Sequence, residues 1–365
     1  MKRAFSLFTL LAFLSACGGD GTNPFDDPID PTDPSSKNSK FLFDIDDKFT
    51  MNDVVYNEAS DQLVINNLPF DGPDGIYDRT RTERGVGVYR SRKTGTTGQI
   101  RHYAVFMRNE DMQVAAAAGA EWVDVGYGGA NVKRNGYNLP GGVGEYVFLG
   151  TYGSVRTRSD GAGAHIVTGD VTLLLDIFDF DESGGEPGDG ILEGSIVGYI
   201  DNRTRTDAET GAPITNNLPT VSLTLVQYDP ETGEFDEGIT STGHNGSIRD
   251  EGLWEGFVGG SDGSSIGAYV TLNGPAEIQT ISYEVATYTA PDGSTGVVSG
   301  YTAETDYDAI FAMVNAGEQV GLQTADQSGI PAGSSVSVEI ETVTIETAAD
   351  GREIGVLLTE QEPDS

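Results

Sequence analysis

Between Gly252 and Leu272 the chain reads Gly-Leu-Trp-Glu-Gly-Phe-Val-Gly-Gly-Ser-Asp-Gly-Ser-Ser-Ile-Gly-Ala-Tyr-Val-Thr-Leu, a stretch that restricts the fold more than any other. Gly252, Gly256, Gly259 and Gly260 let the backbone bend tightly and approach other backbone closely, while Trp254 and Phe257 bring large rings that need burial. After the Ser-Asp-Gly-Ser turn, Ile266, Ala268, Val270 and Leu272 recur at every second position, the period of a strand with one buried face. A curved hairpin is expected. With 49 glycines among 365 residues, many Thr, Val, Tyr and Ser residues, and few long helical faces, the expectation extends to the whole chain: all-β, with minor helix. The length suffices for one large β domain or two modest ones.

A formal charge of −36 makes a surface that repels phosphate backbones, so nucleic acid is excluded as a partner. Lys2 and Arg3 precede an apolar run from Ala4 to Ala16 that is too short to span a bilayer, which reads residues 1–16 as a signal peptide. The run ends in Leu14-Ser15-Ala16-Cys17-Gly18-Gly19, around the only cysteine in the chain. This looks like the lipobox of bacterial lipoproteins and implies that Cys17 becomes the lipidated N-terminus, a tether to the membrane that leaves no thiol for disulfide or catalytic chemistry. Residues 17–40, with Asn23-Pro24-Phe25-Asp26-Asp27-Pro28, Pro31 and Pro34, read as a disordered linker.

Residues 41–144 are expected to form a first β-rich unit. Leu63 and Ile65 mark a strand, Asp71-Gly72-Pro73-Asp74-Gly75 a turn, and Val86 to Arg90 a strand paired with Ile100 to Met107 across the Lys93 to Gly98 turn. The cations gathered between Arg79 and Arg108 mark either a contact face or an edge strand guarded by charge. Glu110 to Ala118, with its alanine run and the following Gly119, is expected as a short helix. His102, His165 and His244 each lack a second ligand at useful spacing, so no metal site is readable.

In the second half, Leu139-Pro140-Gly141-Gly142 leads to Tyr146 and to Gly150-Thr151-Tyr152-Gly153. Gly169-Asp170-Val171-Thr172-Leu173-Leu174-Leu175-Asp176-Ile177-Phe178 follows, then Gly190-Ile191-Leu192-Glu193-Gly194-Ser195-Ile196, the alternating Val221, Leu223 and Leu225, and the Trp254 hairpin. In order and content this succession resembles the β-barrel domain of the transferrin-binding protein B-like surface lipoproteins. Ile177 and Ala268 depart from that pattern, and the usual terminal Phe-Gly motif is not evident. The resemblance implies an antiparallel barrel of about eight strands over residues 145–300, with residues 41–144 in the place of the smaller handle domain. A closed barrel also removes the sheet edges that an extracellular β domain must protect.

Asp179-Phe180-Asp181-Glu182-Ser183-Gly184-Gly185, with Asp189, is either an acidic hairpin tip or a calcium loop lacking its last carboxylate, since Gly190 stands where a Glu is wanted. Residues 301–365 are expected as an extension: a helix from Tyr307 to Ala316 capped by Thr305-Asp306 and ended by Gly317, then strands with a bulge near Glu341 or Thr342.

No catalytic constellation is readable, so a non-enzyme is expected. The resemblance implies a lipid-anchored outer-membrane protein, exposed at the cell surface, that binds an extracellular iron- or haem-carrying protein, or haem, for uptake through an outer-membrane transporter. The alternative is a structural or assembly lipoprotein. No cofactor and no ligand-binding residue can be named from the sequence.

Overall fold

The computed structural model describes residues 38–71, 75–92, 100–119, 124–179 and 192–362. Its first unit contains β1 (Ser39–Leu42), β2 (Asp53–Asn57), β3 (Gln62–Asn66), β4 (Ile76–Glu83), β5 (Val86–Ser91), β6 (His102–Arg108), β7 (Met112–Gly119) and β8 (Gly128–Arg134). They form one antiparallel sheet in the order β1-β8-β7-β6-β5-β4-β3-β2, curled into a half-barrel around Met51, Leu63, Ile65, Tyr77, Tyr89 and Phe106.

The alanine run lies in β7, not in a helix. Helix propensity is overridden because β6 and β8 satisfy its backbone on both sides and a hydrophobic core covers each of its faces. Ala116 and Ala118 face the second unit, while Ala115 and Ala117 face into the curl.

The second unit begins with β9 (Gly144–Arg158), β10 (Ala164–Asp179), β11 (Leu192–Asp207), the short β12 (Pro213–Ile214), β13 (Val221–Asp229), β14 (Glu234–His244), β15 (Ser247–Gly259) and β16 (Ser265–Pro275). The chain then leaves through β17 (Ile278–Thr289), β18 (Thr295–Ser299), α1 (Tyr307–Asn315) and β19 (Ser335–Glu346), and returns as β20 (Asp350–Gln361). The closed antiparallel barrel runs β9-β20-β16-β15-β14-β13-β11-β10 and back to β9. Eight strands therefore close it, as expected, but the strand between β9 and β16 comes from residues assigned above to the extension. Ile278 to Ser299, expected in the barrel, belong instead to a separate sheet of order β18-β17-β19.

Trp254, Phe148, Phe235, Tyr228, Leu173, Ile200 and their neighbours fill the barrel lumen. Along β13, Ser222, Thr224, Gln227 and Asp229 face outward between buried Val221, Leu223, Val226 and Tyr228, the reverse of a barrel whose outer wall meets lipid. Leu225 breaks the expected alternation: a register shift on β13 turns it outward and hands its inward place to Val226. No helix among the described residues is long and apolar enough to cross a membrane.

The Trp254 hairpin is buried on both faces rather than one. Ile266, Ala268, Val270 and Leu272 enter the lumen, while Gly267 and Tyr269 on the outside lie under the half-barrel, whose Met112, Val114 and Val132 side chains crowd Gly267. At Gly256 a Cβ would collide with the Gly267 carbonyl oxygen, so close strand approach requires glycine there.

The β17–β19 ladder runs without interruption from Ile278↔Glu346 to Thr289↔Ser335, so the bulge expected near Glu341 is absent. The phase of apolar residues reverses where the strand passes from a covered region to an exposed one. Ile281 and Ile345 pack beneath Ile310 and Val314 of α1, whereas Val336, Val338 and Ile340 point to the opposite side. Helix α1 ends as expected at Gly317 (φ +73°), but Asp306 does not cap it with its side chain; that carboxylate accepts from the Thr302 backbone N–H at 2.9 Å.

Candidate functional site

Polar side chains concentrate at three places. The first is inside the barrel, at the end where β16 leaves and β20 returns. Glu353 on β20 accepts hydrogen bonds from Arg203 (2.7 and 2.8 Å), Tyr152 (2.8 Å), Ser154 (2.9 Å) and Arg156 (3.3 Å). Arg156 also donates to Asp250 (3.0 Å) and to the Pro275 carbonyl (2.9 Å). Just outside the barrel, Glu277 takes both prongs of Arg205 at 2.5 and 2.7 Å, and Arg158 closes α1 by donating to the Asn315 carbonyl at 3.0 Å.

Burial opposes ionisation of Glu353 and Asp250, yet the surrounding guanidinium groups outweigh it and hold both carboxyls below the usual range. Arg249 is the extra residue opposite the β14 register shift, and burial pulls its guanidinium down to about 10. His165 sits at the same end, where burial and then Arg205 and Arg158 push its imidazole to about 3, so it is neutral. Glu353 and Asp250 are therefore charged at neutral pH, and with Arg156, Arg203, Arg205 and Glu277 they are buried from solvent, which makes this a clamp joining barrel, α1 and the β18-β17-β19 sheet.

The second place is the seam between half-barrel and barrel, and it accounts for much of the cationic run. Arg81 donates to the Ala208 and Asp207 carbonyls at 3.0 and 3.2 Å, Arg84 binds Asp170 and the Asn202 carbonyl, and Arg90 and Tyr103 both reach Glu209 at 2.6 Å. The contact face anticipated between Arg79 and Arg108 is thus in large part an internal one, with the barrel as its partner. Arg134 crosses elsewhere, lying 4.4 Å above the Phe257 ring.

The third place is open. On the half-barrel, a groove of about 390 Å³ is lined by Ser60, Asp61, Asp78, Arg79, Thr80, Arg81 and Thr82. A register shift between Arg79 and Arg81 makes Thr80 a bulge, which re-aims the side chains along this rim. Asp61, itself at positive φ (+50°), anchors the groove floor: it accepts from Tyr89 at 2.7 Å, Arg79 at 2.9 Å and Tyr56 at 3.1 Å. Burial raises its carboxyl, but those three donors win and hold it low. Tyr56 stacks on Phe106 at 4.8 Å, and the Arg108 guanidinium lies 4.6 Å over the Tyr56 ring while pairing with exposed Glu58.

The result is a ledge of tyrosine, arginine and threonine that is charged and aromatic, with Arg79 and Arg108 partly exposed. Asp61 and Asp78 are held low and Tyr56 and Tyr89 are pushed up, so none of these four exchanges a proton near neutral pH. The groups of this ledge are chemically able to hydrogen-bond carboxylates and amides and to stack on aromatic rings.

Of the residues singled out in the sequence, Cys17 and the loop from Phe180 to Asp189 lie outside the described residues, as do Lys93 to Gly98; Asp179 ends β10. His102 is buried in the half-barrel against Gly119, and His244 bonds Thr280 of β17 at 2.8 Å. The three histidines are therefore dispersed. Among the described residues, no group of three or more His, Cys, Asp or Glu stands together to hold a metal ion. The open groove was missed because its lining joins the turn before β3 to β4, with Tyr56 of β2 and Tyr89 of β5 bonded to its floor, and only Arg79 and Arg81 in a cation-rich segment hinted at it.

No family model matches the chain, and no curated protein matches it significantly in sequence. What the residues define on their own is a fold class: a closed eight-stranded barrel with a curled eight-stranded sheet packed on its wall.

Proposed function

We propose that the chain is a non-enzymatic surface lipoprotein of the outer membrane, of the transferrin-binding protein B-like kind, tethered through Cys17. In this reading it captures an extracellular iron- or haem-carrying protein, or haem, for an outer-membrane transporter. The observation that carries the proposal is the open Arg79–Tyr56–Arg108 ledge on a half-barrel packed against a closed barrel. A binding surface on strands, backed by a packed core and a polar seam, is preorganised for a partner and has no counterpart in a merely filled barrel. A protein ligand is favoured over free haem, because His102 is buried and His244 is tied to Thr280.

Capture from host fluid with the untethered chain as bait tests this. The proposal predicts retention of a discrete protein, weakened about tenfold by Arg79→Glu as expected for a charged contact. Titration with haem, followed in the Soret band, separates the two ligands: a shifted, saturable band assigns haem itself. Retention of nothing, together with an unchanged Soret band, would contradict both.

A further inference from the structure

We infer that β19 is the dimerisation edge of this protein, pairing antiparallel with β19 of a second copy about a twofold axis through Val338. Three observations lead there. β19 pairs with β17 on one side only, and no other described strand or bridge lies against its outer edge. Its residues from Ser335 to Thr342 are exposed on both faces, yet they alternate in the manner of a buried strand, with Val336, Val338 and Ile340 at 43%, 46% and 66% exposure. A long edge of this kind, without lysine, proline or a bulge between Ser335 and Glu346, has only Glu339, Glu341 and Glu346 to keep it solitary.

The sequence of the edge selects its occupant. Centred on Val338, the antiparallel register sets Val338 against Val338 and Val336 against Ile340 on one face. On the other it sets Ser337 against Glu339 and Ser335 against Glu341, so that apolar meets apolar and no two acids stand directly opposite. Neighbouring registers are worse. Centring on Ile340 puts Glu339 opposite Glu341, and centring on Val336 leaves Ile340 without an apolar partner.

Geometry agrees. Ser335 to Glu341 pair with the Thr289 to Tyr283 half of β17, the half remote from where β17 and β19 join the barrel at Glu277 and Ala349. A partner paired over this half runs away from the first barrel, so the two barrels occupy opposite ends of a continuous six-stranded sheet. Such an interface is isologous and closed, and it leaves no further edge at the seam. It is small, which places it among concentration-dependent associations, and the −36 charge of each chain makes it tighten with salt.

Sedimentation equilibrium of the full chain in detergent tests the inference. The wild type should be a monomer–dimer mixture whose dimer fraction rises between about 0.05 and about 0.5 M salt. Val338→Lys, at an exposed position with no fold to lose, should weaken dimerisation at least about tenfold by placing two cations face to face. In a Cys17→Ser background, oxidised Val338→Cys should form a covalent dimer, while Val297→Cys on β18, more exposed still, should not. A wild type that stays monomeric at every concentration overturns the inference and leaves the edge to a strand from a different protein. Equal dimerisation by Val338→Lys, or equal cross-linking through Val297→Cys, overturns it as well.

Discussion

Trp254 shows how single residues set the shape of the barrel. Its indole lies over Gly238 so closely that a Cβ there would strike Nε1, and it tilts against Phe235 at 4.9 Å in the lumen. Trp254→Ala removes the largest fully buried side chain among the described residues and is expected to cost about 3–5 kcal/mol, measured by urea unfolding. Glu353→Gln strips the carboxylate from between Arg156 and Arg203 and is expected to cost about 3–5 kcal/mol, because it leaves buried cations uncompensated.

The same cluster fixes the response to acid. His165 has a folded pKa depressed to about 3, so its share of stability is complete above pH about 6.5 and is lost as pH falls from there toward 3. Glu353 and Asp250, also depressed, add their loss only below the ordinary carboxylate range. His165→Gln should therefore flatten the stability profile between pH about 6.5 and about 4.5 while leaving the steeper fall below it. A slope unchanged by that substitution would remove His165 from the account. In the sequence, Trp254 was legible because indole beside glycine demands burial. Glu353 was not: it is one of 57 acids, and its partners lie about 150 and 200 positions away.

The elements divide the same way. A strand with alternating burial, such as Gly169 to Phe178, was readable because one side chain in two faces a core; Val86 to Arg90 reads as half-buried in the sequence but is covered on both faces, Val86 and Val88 by the barrel side and Tyr89 by the curl. β7 was not, because four successive alanines carry no period and their intrinsic preference is helical. What decides for strand is space: Ala116 packs fully buried in the core shared with the barrel wall. Ala116→Leu should destabilise by about 1–3 kcal/mol through overpacking, although it is the better size match for an ordinary core. A loss that small, with strand content unchanged by circular dichroism, separates crowding from unfolding of the sheet. β19 was misread for a related reason. Its change of phase was taken for a bulge, whereas the straight strand passes from a covered region to an uncovered one.

At the scale of the molecule, the barrel is closed by its last strand. β20 is separated from β16 by the excursion through α1 and β19, yet it lies between β9 and β16. No local pattern in Ile354 and Val356 says which strands they join, so the barrel was foreseeable and its closure was not. The clamp of arginines around Glu353 and Glu277 stands where that excursion leaves and returns, and the cationic rim of the half-barrel is largely spent on the seam. Much of the protein's positive charge is thereby turned inward, which leaves the acids outside and makes the Arg79–Arg108 ledge a local exception on an anionic surface. Such an exception serves binding only if partners outside the cell can reach it. Protease added to intact cells measures this most directly. The account predicts that the folded chain is shaved from cells whose outer membrane is unbroken, and protection that lasts until the membrane is permeabilised would contradict it.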